Sequence, residues 1–399
     1  MIEILIAILL GIIFGIITGL APGIHPNTVV VFLLAISPLL LNFTSPLILA
    51  IFIISCATTN TFTDSIPSIY LGAPEESTAL SVLPGHRYLL QGKGHEAIML
   101  TIIGSLSSLI LGLILIPLLI PFLKLIYPYL KESIPYIILI STLVLIVKEK
   151  KSKIFALIIF LMSGILGVIT LNFPNLNQPL FPLFTGLFGI STLLISLNSS
   201  TEIKEQTISY PKLSKKDIAI TTPISVFSGF LVSFLPALGS SQAAIIGTSL
   251  MRKITAARFL MLIGGINTIN FVLSFISLYL LDKARNGAIV GVSQILGKID
   301  LKIFILFLAV SLITAGLAAI STVYLSKIFS NIITKVNYQK LILSIISIIL
   351  FLILTISGFY GFMILITGTF IGLLANLKGI SKTHLMGSLV LPVLLFYLL

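Results

Sequence analysis

Apolar positions run along this chain in long blocks such as Ile154–Ile169, Ile303–Leu317, Leu341–Thr355 and Leu385–Leu399. Each block approaches the roughly 20 residues that cross a hydrocarbon core. The blocks are apolar on every face, without the ten-residue alternation of a membrane barrel strand, so they predict membrane helices. Helices are expected over 3–20, 28–41, 46–62, 97–123, 134–147, 154–171 and 180–197. A second set is expected over 218–235, 241–250, 258–281, 303–326, 341–356, 360–377 and 384–398. Between the sets, 198–217 carries Glu202, Lys204, Glu205, Lys215, Lys216 and Asp217. It cannot sit in lipid and is expected to be a cytoplasmic linker.

The sets look alike. Gly15-x6-Pro22 recurs as Gly229-x6-Pro236, a shift of 214 residues. Further on, Asn60-Thr61 is echoed by Asn267-Thr268, and Ser68 to Leu71 by Ser277 to Leu280. Ordered matches of this kind predict an internal repeat, residues 1–197 and 218–399. Lysines at 148, 150, 151 and 153 and in the linker mark the cytoplasmic side. Counting helices from there leaves the N-terminus outside, so the second half starts from the opposite side of the membrane. The expected fold is an all-α integral membrane protein of two inverted repeats, with re-entrant half-helices and about 10–14 membrane segments.

Composition agrees. The chain is 57% hydrophobic and 9% charged, against about 25% charged residues in a soluble domain. The formal net charge of +12 resides in short connections, which assigns it to topology and not to nucleic acid. A single cysteine, Cys56, allows neither a disulfide framework nor a thiolate metal cage. The first helix lacks a basic n-region, so it is expected to remain in a multi-pass protein of the cell membrane.

Candidate chemistry lies where Pro, Gly and polar residues interrupt apolar stretches, because backbone freed from a helix at membrane depth must face protein or a wet cavity. The run Thr18 to Thr28 contains Pro22, Gly23 and Pro26 ahead of a short apolar segment. It predicts a half-helix whose free N–H groups suit an anion, with Asn27 or Thr28 as N-cap; the alternative is a turn between ordinary helices. Leu235 to Gln242 has the same design and places Gly239, Ser240, Ser241 and Gln242 at a second such end. The polar run Thr58 to Pro67 holds Asp64, a carboxylate inside an apolar stretch. With Asn60, Thr61, Asn267 and Thr268 it is the candidate site for a coupling proton or Na+, unless Asp64 merely caps the helix that follows. Glu75 and Glu76 follow Pro74 as a helix's first turn favours. His86, Arg87 and Lys93 are either topology signals or anion contacts, and His25 is a packed histidine. There is no phosphate-binding Gly-x-x-x-x-Gly-Lys-Ser/Thr loop, no His-Glu-x-x-His and no catalytic cluster, so an enzyme is not expected.

The pattern Gly-x-x-x-Gly-Leu-x-Pro-Gly at 15–23, Thr63-Asp64-Ser65 leading through Ala73-Pro74-Glu75 to Leu80, and Gly92-Lys93-Gly94 together resemble a known family. It is the large permease subunit of tripartite tricarboxylate transporters, the TctA family, in a short archaeal-type form. The resemblance covers nearly the whole chain. It implies a two-repeat permease taking up a di- or tricarboxylate by Na+ or H+ symport, needing no cofactor. It also implies a small membrane subunit and an extracytoplasmic binding protein as partners. The chain departs from the family where Thr63-Asp64-Ser65 replaces the usual Gly-Gly-Ser and Pro74-Glu75 replaces Pro-Gly. Two other readings stay open at this point, a translocase of a lipid-linked phosphate and a non-transporting membrane scaffold.

Overall fold

A computed structural model describes residues 2–21, 29–30, 33–34, 37, 39–72, 80, 82–149, 151–174, 176–198, 204–234, 240–251, 253–282, 284, 286–333 and 338–398. Among them the chain is helical, with no strand. The helices are α1 Ile2–Leu20, α2 Pro46–Thr63, α3 Val82–Leu90, α4 Gly94–Lys148, α5 Lys153–Leu171, α6 Leu180–Phe184 and α7 Ser191–Asn198. They continue as α8 Lys215–Phe234, α9 Ser240–Leu250, α10 Ala256–Leu281, α11 Gly287–Leu296, α12 Leu301–Ile333, α13 Tyr338–Ile356, α14 Gly358–Leu377 and α15 Gly387–Leu398. Two π-helical turns, Pro67–Leu71 and Thr185–Ile190, and a 3-10 turn, Lys382–Met386, join them. Eight helices are long and apolar enough to span a membrane, and four shorter apolar ones accompany them.

Most expected boundaries fall within a few residues of these. The segments expected over 97–123 and 134–147 are a single helix, α4. The polar interval between them, Lys131-Glu132-Ser133, is made largely of good helix formers, so polarity there does not break the backbone. Helices α3 and α11 were not expected. Both are short, and α11 starts where the Asn286 side chain accepts the Ile289 N–H at 2.9 Å. The segment expected over 28–41 lies largely outside the described residues, and those described within it are helical up to Leu40.

Burial sorts the helices into layers. In the most apolar window of α2 and the turn after it 83% of residues are buried, and in that of α10 89%, against 56% or less in the other spans. These two therefore form the centre. On α1 the exposed residues Leu5, Leu9, Ile13 and Ile17 recur every four positions, a stripe facing lipid, while Gly11, Gly15 and Gly19 face α2. A methyl group on Gly11 would lie 2.6 Å from Ser55 Cβ, and one on Gly15 would lie 2.5 Å from Cys56 O. Small residues allow this approach, and dispersion and interhelical hydrogen bonds then hold helices that the hydrophobic effect does not drive together in lipid. The crossing of α4 and α10 uses the same device: Gly104 lies on the Met261 carbonyl, Gly264 on that of Thr101, and Ser105 Oγ donates to Gly264 O at 2.9 Å.

Several helix starts recur at nearly constant separations. The pairs α1 and α8, α2 and α10, α4 and α12, and α5 and α14 start 213, 210, 207 and 205 positions apart. In both series the first helix packs on the second through a glycine, Gly15 against Cys56 and Thr59, Gly229 against Ile266 and Ile269. The connection before α8 is held to the α3–α4 corner. Thr207 N donates to Gly92 O at 2.8 Å, Gly94 N to Gln206 Oε1 at 2.9 Å, and Gln206 Nε2 to Leu89 O at 2.9 Å.

Gly264→Val should drive two methyl groups into the Thr101 backbone. The expected cost is about 1–3 kcal/mol of overpacking or more, read as a lower melting temperature in detergent, whereas Gly316→Ala, whose added methyl meets nothing within 4 Å, should leave it unchanged.

Candidate functional site

Asp64 ends α2, where its backbone N–H still bonds Asn60 O, and its side chain is 2% exposed. Asn267 reaches it from α10: Nδ2 donates to Asp64 Oδ2 at 2.8 Å and to Thr61 O at 3.3 Å. Beside this pair the hydroxyls of Thr61 and Thr268 are 3.1 Å apart. Thr61 spends its proton on Thr58 O at 2.8 Å, so Thr268 donates and Thr61 accepts. Thr61 and Thr268 are the second residues of the two Asn-Thr pairs, 207 positions apart.

Asn267 stands near the middle of the 26-residue helix α10, which places the cluster near the middle of the membrane. Asn60 turns away and donates to Thr18 Oγ1 on α1 at 3.4 Å. Thr18 in turn donates to Gly15 O at 3.1 Å, and Thr63 Oγ1 to the same carbonyl at 3.2 Å. The second half shows the related contact, Ser233 Oγ to Asn270 O at 3.1 Å between α8 and α10. The hydroxyls of Thr58 and Thr59 are buried and find no hydrogen-bond partner among the described residues. Such groups are costly to leave unsatisfied unless an ion or water completes them.

The structure thus joins four of the five candidate coupling residues, Thr61, Asp64, Asn267 and Thr268, directly, and ties Asn60 to the same cluster through α2. Pro22, Gly23, Asn27, Thr28 and Gly239 lie outside the described residues, as does Pro236. Ser240 begins α9 and is buried; Ser241 and Gln242 follow it in that helix, their side chains outside the described residues. The sequence reading did not single out Thr18 as a site residue, although four-residue spacing of Gly11, Gly15 and Gly19 marks the face to which it belongs. It also passed over His95, whose Nδ1 lies 2.9 Å from Ser326 Oγ in a buried network with Tyr70 and Ser330. That network joins the π turn after Asp64 to α12.

Beside the lysine-rich turn after α4, Glu149 lies 3.0 Å from His384 Nε2 and accepts the N–H groups of Lys151 and Ser381 at 3.1 and 3.3 Å. Burial pushes the Glu149 carboxyl up, but these hydrogen bonds and the His384 charge together outweigh it and hold the group below the ordinary carboxylate range.

A lipid-facing shell around two central helices that share a buried carboxylate–amide cluster defines a multi-pass membrane protein with a polar centre at membrane depth. The chain belongs to the tripartite tricarboxylate transporter TctA family, which it matches over residues 5–387. It is 31% identical over 385 residues, 94% of each chain, to an uncharacterized protein of Methanocaldococcus jannaschii. No solved structure matches it. The family is one of transporters and not of enzymes, so the protein is a membrane permease of the tricarboxylate-transporter type.

Asn267→Leu should remove the amide bonds to Asp64 and Thr61, one of them to a buried carboxylate. The expected destabilisation is about 1–3 kcal/mol, visible as a lower melting temperature in detergent, and Asn60→Ala, which gives up only the longer bond to Thr18, should cost less.

Proposed function

We propose that the protein is a secondary active permease for a small organic anion, a di- or tricarboxylate, driven by a cation bound at Asp64. The observation that carries the reading is the Asp64 carboxylate, 2% exposed and bonded across the molecule to Asn267. A carboxylate at membrane depth is expensive and is kept where it moves charge. Carrying one negative charge against a potential of 100 mV costs about 2.3 kcal/mol, so an anion needs a co-transported cation. The oxygens of Asp64, Thr61 and Thr268, with the partnerless hydroxyls one turn back, are hard ligands of the kind Na+ takes, and Asp64 alone suffices for a proton.

Two repeats, 1–197 and 218–399, joined by the connection 198–217, are part of this reading. The near-constant separation of helix starts and the touching of Thr61 and Thr268 support them. In an inverted-repeat carrier a site near the repeat boundary is exposed to each side in turn. The anion itself is assigned to the interrupted segments around Pro22, Gly23, Asn27 and Thr28 and around Gly239, Ser240, Ser241 and Gln242, where broken backbone offers N–H donors. Family membership supports a small membrane subunit and an extracytoplasmic binding protein as partners.

Asp64→Asn should fold, since Asn fills the same volume, yet lose gradient-driven uptake of radiolabelled succinate or citrate into proteoliposomes at least tenfold. Uptake that survives unchanged in this variant would remove Asp64 from coupling.

A further inference from the structure

Most described lysines in the connections between helices face outward. Lys151, Lys153, Lys204, Lys212, Lys215 and Lys216 are exposed, as charges that set topology should be. Lys382 is different. It opens the 3-10 turn that separates α14 from α15, is partly buried, and turns its Nζ onto Thr192 Oγ1 of α7. Thr192 donates its own proton to Phe188 O at 2.5 Å, so its oxygen can only accept from the ammonium.

An ammonium has three donors, and one neutral hydroxyl satisfies one of them. Among the described residues no carboxylate pairs with Lys382; the ion pairs there involve other cations. Glu149 lies next along the chain's contacts, since it accepts the Ser381 N–H, but it is engaged by His384 and the two backbone amides. His86 on α3 is buried near enough to feel the Lys382 charge, and burial first, then that charge, push it down to about 4, so it is neutral at pH 7. Burial lowers Lys382 to about 8, so the ammonium stays mostly protonated there. A desolvated cation that finds no counter-charge among the described residues is stabilised by a ligand that supplies the anion.

The segment that carries Asp64 runs directly to this group. It ends in the π turn Pro67–Leu71 and Gly72, whose φ of +63° suits glycine. Ile69 of that turn packs on Gly85 and bonds His86 through its backbone, and Gly72 lies against Leu193, the neighbour of Thr192. Residues 69 and 72, a few positions after Asp64, thus touch His86 and Leu193, which lie beside Lys382 and Thr192.

We propose that Lys382, with Thr192 beside it, binds a carboxylate group of the transported organic anion. The inference rests on the permease reading above and adds the positive charge that reading lacked. Two measurements test it. In the first, wild-type protein in detergent is acetylated with an N-hydroxysuccinimide ester and Lys382 is followed by mass spectrometry, with succinate, citrate, sulfate or inorganic phosphate present. The expected result is protection of Lys382 by a carboxylate and not by sulfate or phosphate. No protection, or protection by the inorganic anions alone, overturns the assignment, and this arm needs no variant to fold. In the second, uptake of the protecting carboxylate is measured for Lys382→Met and Lys382→Arg. The half-saturating concentration should rise roughly tenfold or more in Lys382→Met, the loss of one charge-assisted bond, and stay near wild type in Lys382→Arg. An active wild type with unchanged saturation in Lys382→Met overturns this inference alone. A wild type that neither transports nor is protected by any carboxylate overturns the permease reading with it.

Discussion

Two helices too polar to face lipid must face each other, and the rest of the molecule is arranged around that necessity. Helices α2 and α10 and the residue that ends α2 carry Thr58, Thr59, Asn60, Thr61, Thr63, Asp64, Asn267 and Thr268 buried among the other helices. Their mutual hydrogen bonds, Asn267 to Asp64 and Thr268 to Thr61, satisfy several of these groups across the contact between α2 and α10. The outer helices then keep lipid away. Glycine faces on α1 and α4 bring their backbones close enough to seal the polar centre, and their opposite faces present leucine and isoleucine to the hydrocarbon.

The same constraint separates structural from functional polarity. Serines and threonines that bond their own helix four residues back, as Thr170, Ser191 and Thr322 do, are satisfied locally and ask nothing of a ligand. Groups whose needs are met only across helices, or not met by protein at all, are the ones that can respond to an ion. Asp64 with its amide partner belongs to that second class, and so does Lys382 with its hydroxyl. One is negative and lies against the middle of α10, the other positive and in the turn between α14 and α15, a distribution suited to a permease that moves an anion with a cation.

Membrane class, most helix boundaries and the polar runs were legible in the sequence because hydropathy depends on composition over some twenty residues, which tertiary contacts do not alter. Asp64, Asn60 and Asn267 were legible for the same reason, as polar residues that apolar surroundings make conspicuous. Continuity of α4 through Lys131 and Glu132 was not, since charged residues break a membrane span without breaking a helix. Helices α3 and α11 escaped because they are short and amphipathic only in context. The interrupted segments at 22–28 and 235–239 lie outside the described residues, so the anion-binding ends expected there remain a sequence inference.

By itself, then, the sequence determined that the chain crosses a membrane many times, that Gly-Pro and Asn-Thr patterns recur along it, and which residues bring charge into apolar stretches. Only the tertiary structure decided that Asn267 bonds Asp64 and that Thr61 meets Thr268, residues more than 200 positions apart. It alone distinguished Lys382 from the other loop lysines. The physical reason is that hydropathy is a local property of the chain, whereas the cost of a buried charge is set by whichever distant groups folding brings beside it.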